Sequence, residues 1–107
     1  MNKILSFITL SKKAGRIAAG YEEVRHNIYK NAVNLVILTS DLSEKSSKNI
    51  KFICEKYNIK YIVINEDMET IKKMIGKKSG IIGIKDEGFS GAILKAFEND
   101  LEVADGN

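Results

Sequence analysis

The seven residues 33–39 read VNLVILT and carry apolar side chains at five positions. Side chains along a strand alternate between the two faces of its sheet, so a nearly continuous apolar run presents apolar groups on both faces. Shorter runs at residues 61–64 and 81–84 predict further strands. A sheet with two apolar faces has to be covered on both, which favours a layered arrangement with helices on either side.

The segments around these strands carry helix signals. Asn2 can cap a first helix that ends at Gly15, and residues 16–20 form a short extended piece before a second helix at residues 21–31. A fourth helix, residues 67–75, is stopped by Gly76. The third and last helices show core spacing at Ile50, Ile53, Cys54 and Tyr57, and at Phe89, Ala92, Ile93, Ala96 and Phe97.

This alternation of strands and helices predicts an α/β fold, a three-layer α/β/α sandwich. We assign residues 1–99 to a single domain and residues 100–107 to a short, acidic, flexible tail. The formal charge is +3, but residues 1–97 hold seventeen basic side chains against ten acidic ones, a net charge of +7. That excess fits a polyanionic partner, and it also fits an ordinary solvated, lysine-rich surface.

The cysteine and histidine content argues against catalysis and against a metal site. Cys54 and His26 are the single residues of their types, and neither has the partners that a nucleophilic dyad or a metal site requires. We predict no enzymatic activity, no cofactor and no small-molecule substrate. A lone cysteine fits the reducing cytoplasm, and no apolar run is long enough to span a bilayer. Phe52 falls off the core stripe and should be partly exposed, and the scattered tyrosines predict no stacking platform.

Residues 11–30 form a basic segment interrupted by glycines. Lys12, Lys13 and Arg16 precede Gly20, which lets the backbone approach a ligand just before a helix begins. Free N–H groups and a partial positive charge at that helix start suit a phosphate group. The segment therefore predicts a phosphate site.

The carboxylates Glu22 and Glu23 follow directly, and two interpretations remain open. They could complement the helix dipole, which spacing alone favours, or accept N–H donors from a base, with Glu22, Arg25 and His26 on one helix face. The turn at residues 75–78 poses a similar choice. Spacing alone favours a helix C-cap with solvated lysines over a ligand site.

Several of these segments occur in an order that resembles a known family. They are the Lys-Lys-Ala-Gly-Arg run at residues 12–16, Gly20 with its two glutamates, the VNLVILTSDLS stretch, the Ile-Gly-Lys-Lys turn at residues 75–78, and Asp-Glu-Gly-Phe at residues 86–89. Together they resemble the L-seven-Ae family of ribosomal proteins, and its small bacterial branch above all. The resemblance extends over residues 4–97.

This resemblance implies a small mixed four-stranded sheet and binding to kink-turn RNA, in which sheared G·A pairs flank a sharp bend. Glu23 matches the carboxylate that reads guanine. Glu22 stands where the family has Asn, and His26 where it has Lys, so both changes should weaken RNA binding, while Arg25 and Lys30 could compensate.

The second family contact would be the loop of Ile75, Gly76, Lys77 and Lys78. There apolar side chains stack on unpaired bases and lysines reach phosphates. Ser40 and Asp41 would line the same surface.

Three functional hypotheses follow. The leading one is a cytoplasmic RNA-binding protein of ribosomal type, whose partner is structured RNA, ribosomal or kink-turn, and which associates with the ribosome. The alternative is a protein-interaction module on the same fold that has lost kink-turn binding. A small nucleotide-dependent enzyme is the third, suggested only by the α/β layering, and fold does not imply function.

Overall fold

Helices and strands alternate through residues 2–105, the part of the chain that the computed structural model describes, with side chains described to Leu101. The elements are α1 (Lys3–Lys13), β1 (Ile17–Ala19), α2 (Tyr21–Tyr29), β2 (Leu35–Leu38), α3 (Glu44–Lys56), β3 (Lys60–Val63), α4 (Met68–Ile75), β4 (Ile81–Ile84) and α5 (Glu87–Asp105). Every predicted helix and strand is present. Among these residues, no helix is both long enough and apolar enough to cross a bilayer.

The four strands form one mixed sheet in the order β1-β4-β2-β3. β4 runs antiparallel to both of its neighbours, and β2 and β3 are parallel. This arrangement confirms the mixed four-stranded sheet. It also brings the ends of β1, β2 and β3 to the same edge as the start of β4. We call this the upper edge and the opposite one, where β4 ends, the lower edge.

The helices cover the sheet on both faces. On one face, α1, α4 and α5 pack on the alternate residues Leu35, Ile37, Ile82 and Ile84. On the other face, α2 and α3 pack on Val36, Leu38 and Ile81. All four residues of β2 are buried, because the strand lies between two others and under two helix layers. The three-layer sandwich is confirmed.

Two side chains at the periphery of the fold, Tyr57 and Val63, are more exposed than the sequence predicts. Tyr57 is the C-cap of α3 and is 42% exposed, so its predicted place on the core face is wrong. The helix ends at Lys56, and the backbone at Tyr57 leaves the helical path. β3 is an outer strand, which leaves Val63 46% exposed. Phe52 is 66% exposed, as expected.

α5 continues through the region where we expect an acidic tail. The helix extends to Asp105, and the last two residues of that tail, Gly106 and Asn107, lie outside the described residues. The flexibility of this end stays a prediction.

Gly83 sets the spacing between the sheet and α2. A Cβ atom there would lie 3.3 Å from Cγ2 of Val33 and 3.5 Å from Cγ1 of Val24, and both valines are buried. β-branched side chains have little rotamer freedom with which to move aside. We expect Gly83→Val to lower the free energy of unfolding by about 1–3 kcal/mol, measured by urea denaturation.

Gly91 offers a matched control, because it lies exposed in α5 with no atom within 4 Å of a Cβ built there. Gly91→Ala should stabilise the fold by about 0.4–1 kcal/mol, since alanine restricts the unfolded chain. A Gly83→Val protein as stable as the wild type would contradict the packing described.

Asp67 caps α4 and makes stability depend on pH. Its carboxylate accepts hydrogen bonds from the backbone N–H and the hydroxyl of Thr70, both at 2.9 Å. These bonds, the backbone one foremost, lower the pKa of Asp67 below the ordinary value of 3.8. The folded state therefore binds this proton less tightly than the unfolded state. The carboxylate stabilises the fold above the ordinary value, and this contribution is lost as pH falls through the lowered one.

Asp67→Asn removes the titrating group and keeps an acceptor oxygen. We expect the wild type to lose its stability advantage over Asp67→Asn as the solution is acidified, measured by urea unfolding at a series of pH values. A difference in unfolding free energy that stays constant down to strongly acidic pH would contradict this role.

Candidate nucleic-acid interface

The upper edge of the sheet gathers three segments that are far apart in sequence. The N–H of Gly20 donates to the carbonyl of Ile81 at 2.9 Å, and the N–H of Thr39 donates to the carbonyl of Gly80 at 3.0 Å. The Nζ of Lys77 donates to the carbonyl of Ala19 at 2.7 Å. The start of α2, the end of β2 and the loop between α4 and β4 therefore lie side by side.

Ala19 is the point at which two charged side chains meet. β1 is an outer strand, so alternate backbone groups of β1 point away from β4. At Ala19 those groups are bonded by side chains: the N–H donates to Oε2 of Glu23, and the carbonyl accepts from Lys77. The sequence did not identify Ala19, because its contribution is made by the backbone.

The hydrogen bond from the Ala19 N–H fixes the orientation of the Glu23 carboxylate. Glu23 is an exposed residue, so the group is held in place while it remains open to solvent. An ionised carboxylate has two oxygens with about four acceptor positions in all. One bond to Ala19 therefore leaves most of its capacity for N–H donors of a ligand. The same bonds also cover an outer strand edge against pairing with another chain.

A cavity of about 190 Å³ lies along the outer strand β1. It is lined by Lys12, Ile17, Ala19, Glu23, Ile75 and Lys77. Two lysines and one carboxylate thus border a small, partly apolar floor. Ile75 is only 7% exposed and packs in the core, so it cannot stack broadly on a base as we expected from the family resemblance. Its place is in the floor of the cavity.

Gly20 opens the start of α2. Its φ of 99° is a conformation that L side chains rarely adopt, and a Cβ atom there would lie 3.5 Å from the Nζ of Lys77. Glycine is therefore required by the backbone conformation, while the distance to Lys77 is an ordinary van der Waals contact. As the N-cap, Gly20 offers no side-chain acceptor to the first α2 N–H groups, and the Lys77 ammonium lies nearby.

The first turn of α2 carries a local ion pair. Arg25 donates to Glu22, and its guanidinium lies 5.7 Å from the ring centre of Tyr21. Arg25 thus offsets part of the negative charge that Glu22 adds at the helix start, although such an exposed pair contributes little to stability. His26 is exposed one turn further along α2. Tyr21 was not identified from the sequence.

Ser40 and Asp41 hold the turn after β2 against the segment before α4. The N–H and hydroxyl of Ser40 donate to the carbonyl of Glu66, at 3.0 and 3.2 Å. Oδ1 of Asp41 accepts from the N–H of Met68 at 3.1 Å. Both residues are exposed at the upper edge and have a structural role there.

The α4–β4 loop is positioned by its own ion pair. Lys78 pairs with Glu69 at 3.1 Å, with both side chains more than half exposed. Gly76 adopts the left-handed conformation, with φ of 80°, that ends α4.

Two predicted site residues lie away from this surface. Arg16 precedes β1 at the lower edge and pairs with Asp86 at 3.7 Å, so it is separated from Gly20 by the length of the strand. Lys30 is the C-cap of α2, ten residues after Gly20, and the helical rise places it about 15 Å from Gly20. Lys12 lines the cavity, and Lys13 is exposed beside it. Arg16 is therefore not part of the predicted phosphate site, whose basic residues are Lys12 and Lys13.

Two further clefts lie between β3 and α5, with volumes of about 220 and 290 Å³. The first brings Glu66 and Asp100 together, but no histidine, cysteine or lysine lines it. Among the described residues, no group of three or more His, Cys, Asp and Glu side chains could hold a metal ion. Cys54 is buried, and burial raises its pKa to about 11, which keeps the thiol protonated and unreactive.

Solved structures share this fold. A Bacillus halodurans C protein of unknown function superposes with a TM-score of 0.85 and 30% identity, covering 92% of this chain and 99% of its own. The Giardia lamblia 15.5kD RNA binding protein superposes with a TM-score of 0.74 and 13% identity, covering 89% of this chain and 82% of its own. At 13% identity the second likeness concerns the fold alone.

Two curated relatives carry the same name. RNA-binding protein YlxQ of Enterococcus faecium is 30% identical over 88 residues, which is 82% of this chain and 84% of the relative. RNA-binding protein YlxQ of Bacillus subtilis (strain 168) is 24% identical over 90 residues, 83% of this chain and 89% of the relative. The chain belongs to the Ribosomal protein L7Ae/L30e/S12e/Gadd45 family, which it matches over residues 2–94.

Proposed function

We propose that the protein binds structured RNA of the kink-turn kind at the upper edge of its sheet, and that it does so in the cytoplasm, in association with the ribosome. The observation that carries the proposal is the pair of hydrogen bonds at Ala19. Glu23 accepts from the backbone N–H of this residue, and Lys77 donates to its carbonyl. These bonds hold a carboxylate and an ammonium within one small area, an arrangement that suits base N–H donors and phosphates.

Each part of this surface suits one part of a bent RNA. The Glu23 carboxylate can accept the N–H donors of a guanine whose edge is exposed by a sheared G·A pair. The α2 N–H groups beside Gly20 and the lysines Lys12 and Lys77 suit the phosphates, which crowd together at a sharp bend. Ser40 and Asp41 lie at the far side of the same edge.

Glu22 and His26 depart from the family pattern at the start of α2. They reduce the affinity of this surface for RNA but do not abolish binding. Glu22 adds negative charge, but Arg25 pairs with it, so the guanidinium serves the charge balance and is not free to compensate elsewhere. His26, exposed at the position where the family resemblance implies lysine, replaces a flexible ammonium with an imidazole. We expect kink-turn affinity below that of a protein with Asn and Lys at these two positions.

The relatives support RNA as the partner class. Both curated relatives are named RNA-binding proteins, and the likeness extends over more than four fifths of this chain in each case. The net charge of +7 over residues 1–97 agrees with a polyanionic partner.

A second candidate function is a protein-interaction module on the same fold. Val63 and Leu101 are 46% and 50% exposed beside the clefts between β3 and α5, far from Ala19 on the sheet. An exposed apolar surface of this kind favours a protein contact. A gel-shift assay separates the two functions, because the interaction module would shift no folded RNA.

Glu23→Ala should weaken binding to a kink-turn RNA by about 1–3 kcal/mol, because the acceptor for guanine is lost. The measurement is a fluorescence-anisotropy titration with a kink-turn RNA, alongside the same RNA with its G·A pairs replaced by Watson–Crick pairs. The loss should be confined to the first RNA.

Glu87→Ala is the matched control, since Glu87 is also an exposed glutamate in the first turn of a helix but lies at the lower edge. Thermal melting of both variants shows whether the fold is kept without the Glu23–Ala19 bond. Equal affinities of the wild type and a folded Glu23→Ala protein for kink-turn RNA would remove the proposed role of Glu23.

Phosphate contacts at the upper edge make affinity depend on salt. With about three to five phosphates neutralised, the logarithm of the association constant should fall against the logarithm of salt with a slope of about −3 to −4. Lys12→Gln should make that slope shallower by about one unit. Lys85→Gln, at the lower edge after β4, should leave the slope as it is. Equal slopes for wild type and Lys12→Gln would exclude Lys12 from the interface.

A further inference from the structure

Two exposed tyrosines meet at the lower edge of the sheet, away from the surface described above. The ring centres of Tyr29 and Tyr57 are 5.4 Å apart and the rings are inclined at 43°. Tyr29 is 54% exposed and Tyr57 is 42% exposed, so much of each ring faces solvent. The scattered tyrosines of the sequence predict no stacking platform, yet the fold brings these two rings together from positions 28 residues apart.

The pairing results from two helix ends of similar construction. α2 ends in Tyr29, Lys30 and Asn31, and α3 ends in Lys56, Tyr57 and Asn58, with both asparagines at φ of 58°. α2 and α3 lie side by side on one face of the sheet and run from the upper edge to the lower one. Their last turns are therefore adjacent, and each contributes one ring and one lysine.

The charges around the rings are positive. The Nζ of Lys56 lies 5.9 Å from the ring centre of Tyr57, and Lys30 is exposed next to Tyr29. Among residues 2–101, neither lysine takes part in an ion pair. The nearest acidic residue in sequence, Glu55, is turned towards β3, where it accepts a hydrogen bond from the hydroxyl of Tyr61 at 3.2 Å.

The helix ends themselves do not oppose an anion strongly. Carbonyl groups at a helix C-terminus carry partial negative charge when they lack partners. Here the carbonyls of His26, Asn27 and Ile28 accept backbone N–H groups that follow α2. Those of Ile53, Cys54 and Glu55 do the same at the end of α3. The lysines thus determine the charge that a ligand meets.

We propose that Tyr29, Lys30, Lys56 and Tyr57 form a second RNA site, which stacks unpaired bases of a single-stranded segment while the lysines hold its phosphates. Any base offers a flat face to an aromatic ring, so the site is tolerant of sequence. A protein partner is less well matched, because the patch is small and is flanked by the cations Lys30 and Lys56. The upper edge holds folded RNA, and this tyrosine site holds the unpaired strand that leaves it.

This inference extends the proposed function and is tested separately from it. The probe is a fluorescein-labelled oligouridine of about ten nucleotides, within the length that single-strand-binding surfaces cover. The full chain is titrated by fluorescence anisotropy at low salt. Tyr29→Leu/Tyr57→Leu keeps apolar contact between the helices and removes both aromatic faces. It should raise the Kd for oligouridine about tenfold or more.

Phe52→Leu is the matched control, since Phe52 is an exposed aromatic residue of α3 outside the tyrosine pair. It should leave the oligouridine Kd unchanged. Lys30→Gln is a second variant that leaves both rings in place, and it should make the salt dependence shallower by about one unit. Kink-turn RNA without a single-stranded extension is titrated in parallel, so that the affinity of the upper edge for folded RNA is measured independently.

Equal oligouridine affinities of wild type and the double leucine variant would overturn the proposal. So would a wild-type protein that does not bind oligouridine at all. If the double variant instead changes only the sedimentation mass of the protein, the rings form a contact between copies and the RNA site is wrong.

Discussion

The position of β4 between β1 and β2 determines the rest of the molecule. Because β4 is antiparallel to both neighbours, its first residue lies beside the last residues of two strands that are distant in sequence. The loop that leads into β4 is thereby brought to the start of α2. Lys77 reaches the carbonyl of Ala19 across 58 positions only for this reason. Any strand order that put β1 on the other side of the sheet would separate Lys77 from Glu23.

The bonds at Ala19 join stability to recognition. An outer strand leaves every second backbone N–H and carbonyl without a strand partner, and such groups invite pairing with other chains. Glu23 and Lys77 satisfy both groups of Ala19, which protects the strand. The same bonds remove rotamer freedom from two charged side chains before any ligand arrives, and ordering such side chains on binding would otherwise reduce affinity. Glu23 and Lys77 are both exposed, so each can also contact a ligand while it protects the strand.

The fold was predictable from local signals, and the site only in part. The nearly continuous apolar run at residues 33–39 predicted a strand buried on both faces, and the caps at Asn2 and Gly76 marked helix ends, because these signals depend on neighbouring residues alone. Tyr57 fitted the core spacing of α3, but the helix ended one residue before it.

Arg16 and Lys30 flank Gly20 in sequence and yet lie at the lower edge, because a strand and a helix each carry the chain away from it. The Ala19–Lys77 contact and the Tyr29–Tyr57 pair depend on strand order and helix adjacency, which no short stretch of sequence encodes.

The polarity of α2 and α3 explains why the two edges suit different parts of an RNA. Both helices begin at the upper edge, where the positive end of the helix dipole favours phosphate. Both end at the lower edge, where backbone dipoles offer no such attraction and phosphate binding depends on lysine side chains alone. The flat faces of Tyr29 and Tyr57 lie at that end, where base stacking can supply affinity that helix dipoles cannot. The two proposed sites therefore differ in what they would bind: a crowded, bent backbone at the upper edge, and an unpaired strand with separated phosphates and accessible bases at the lower one.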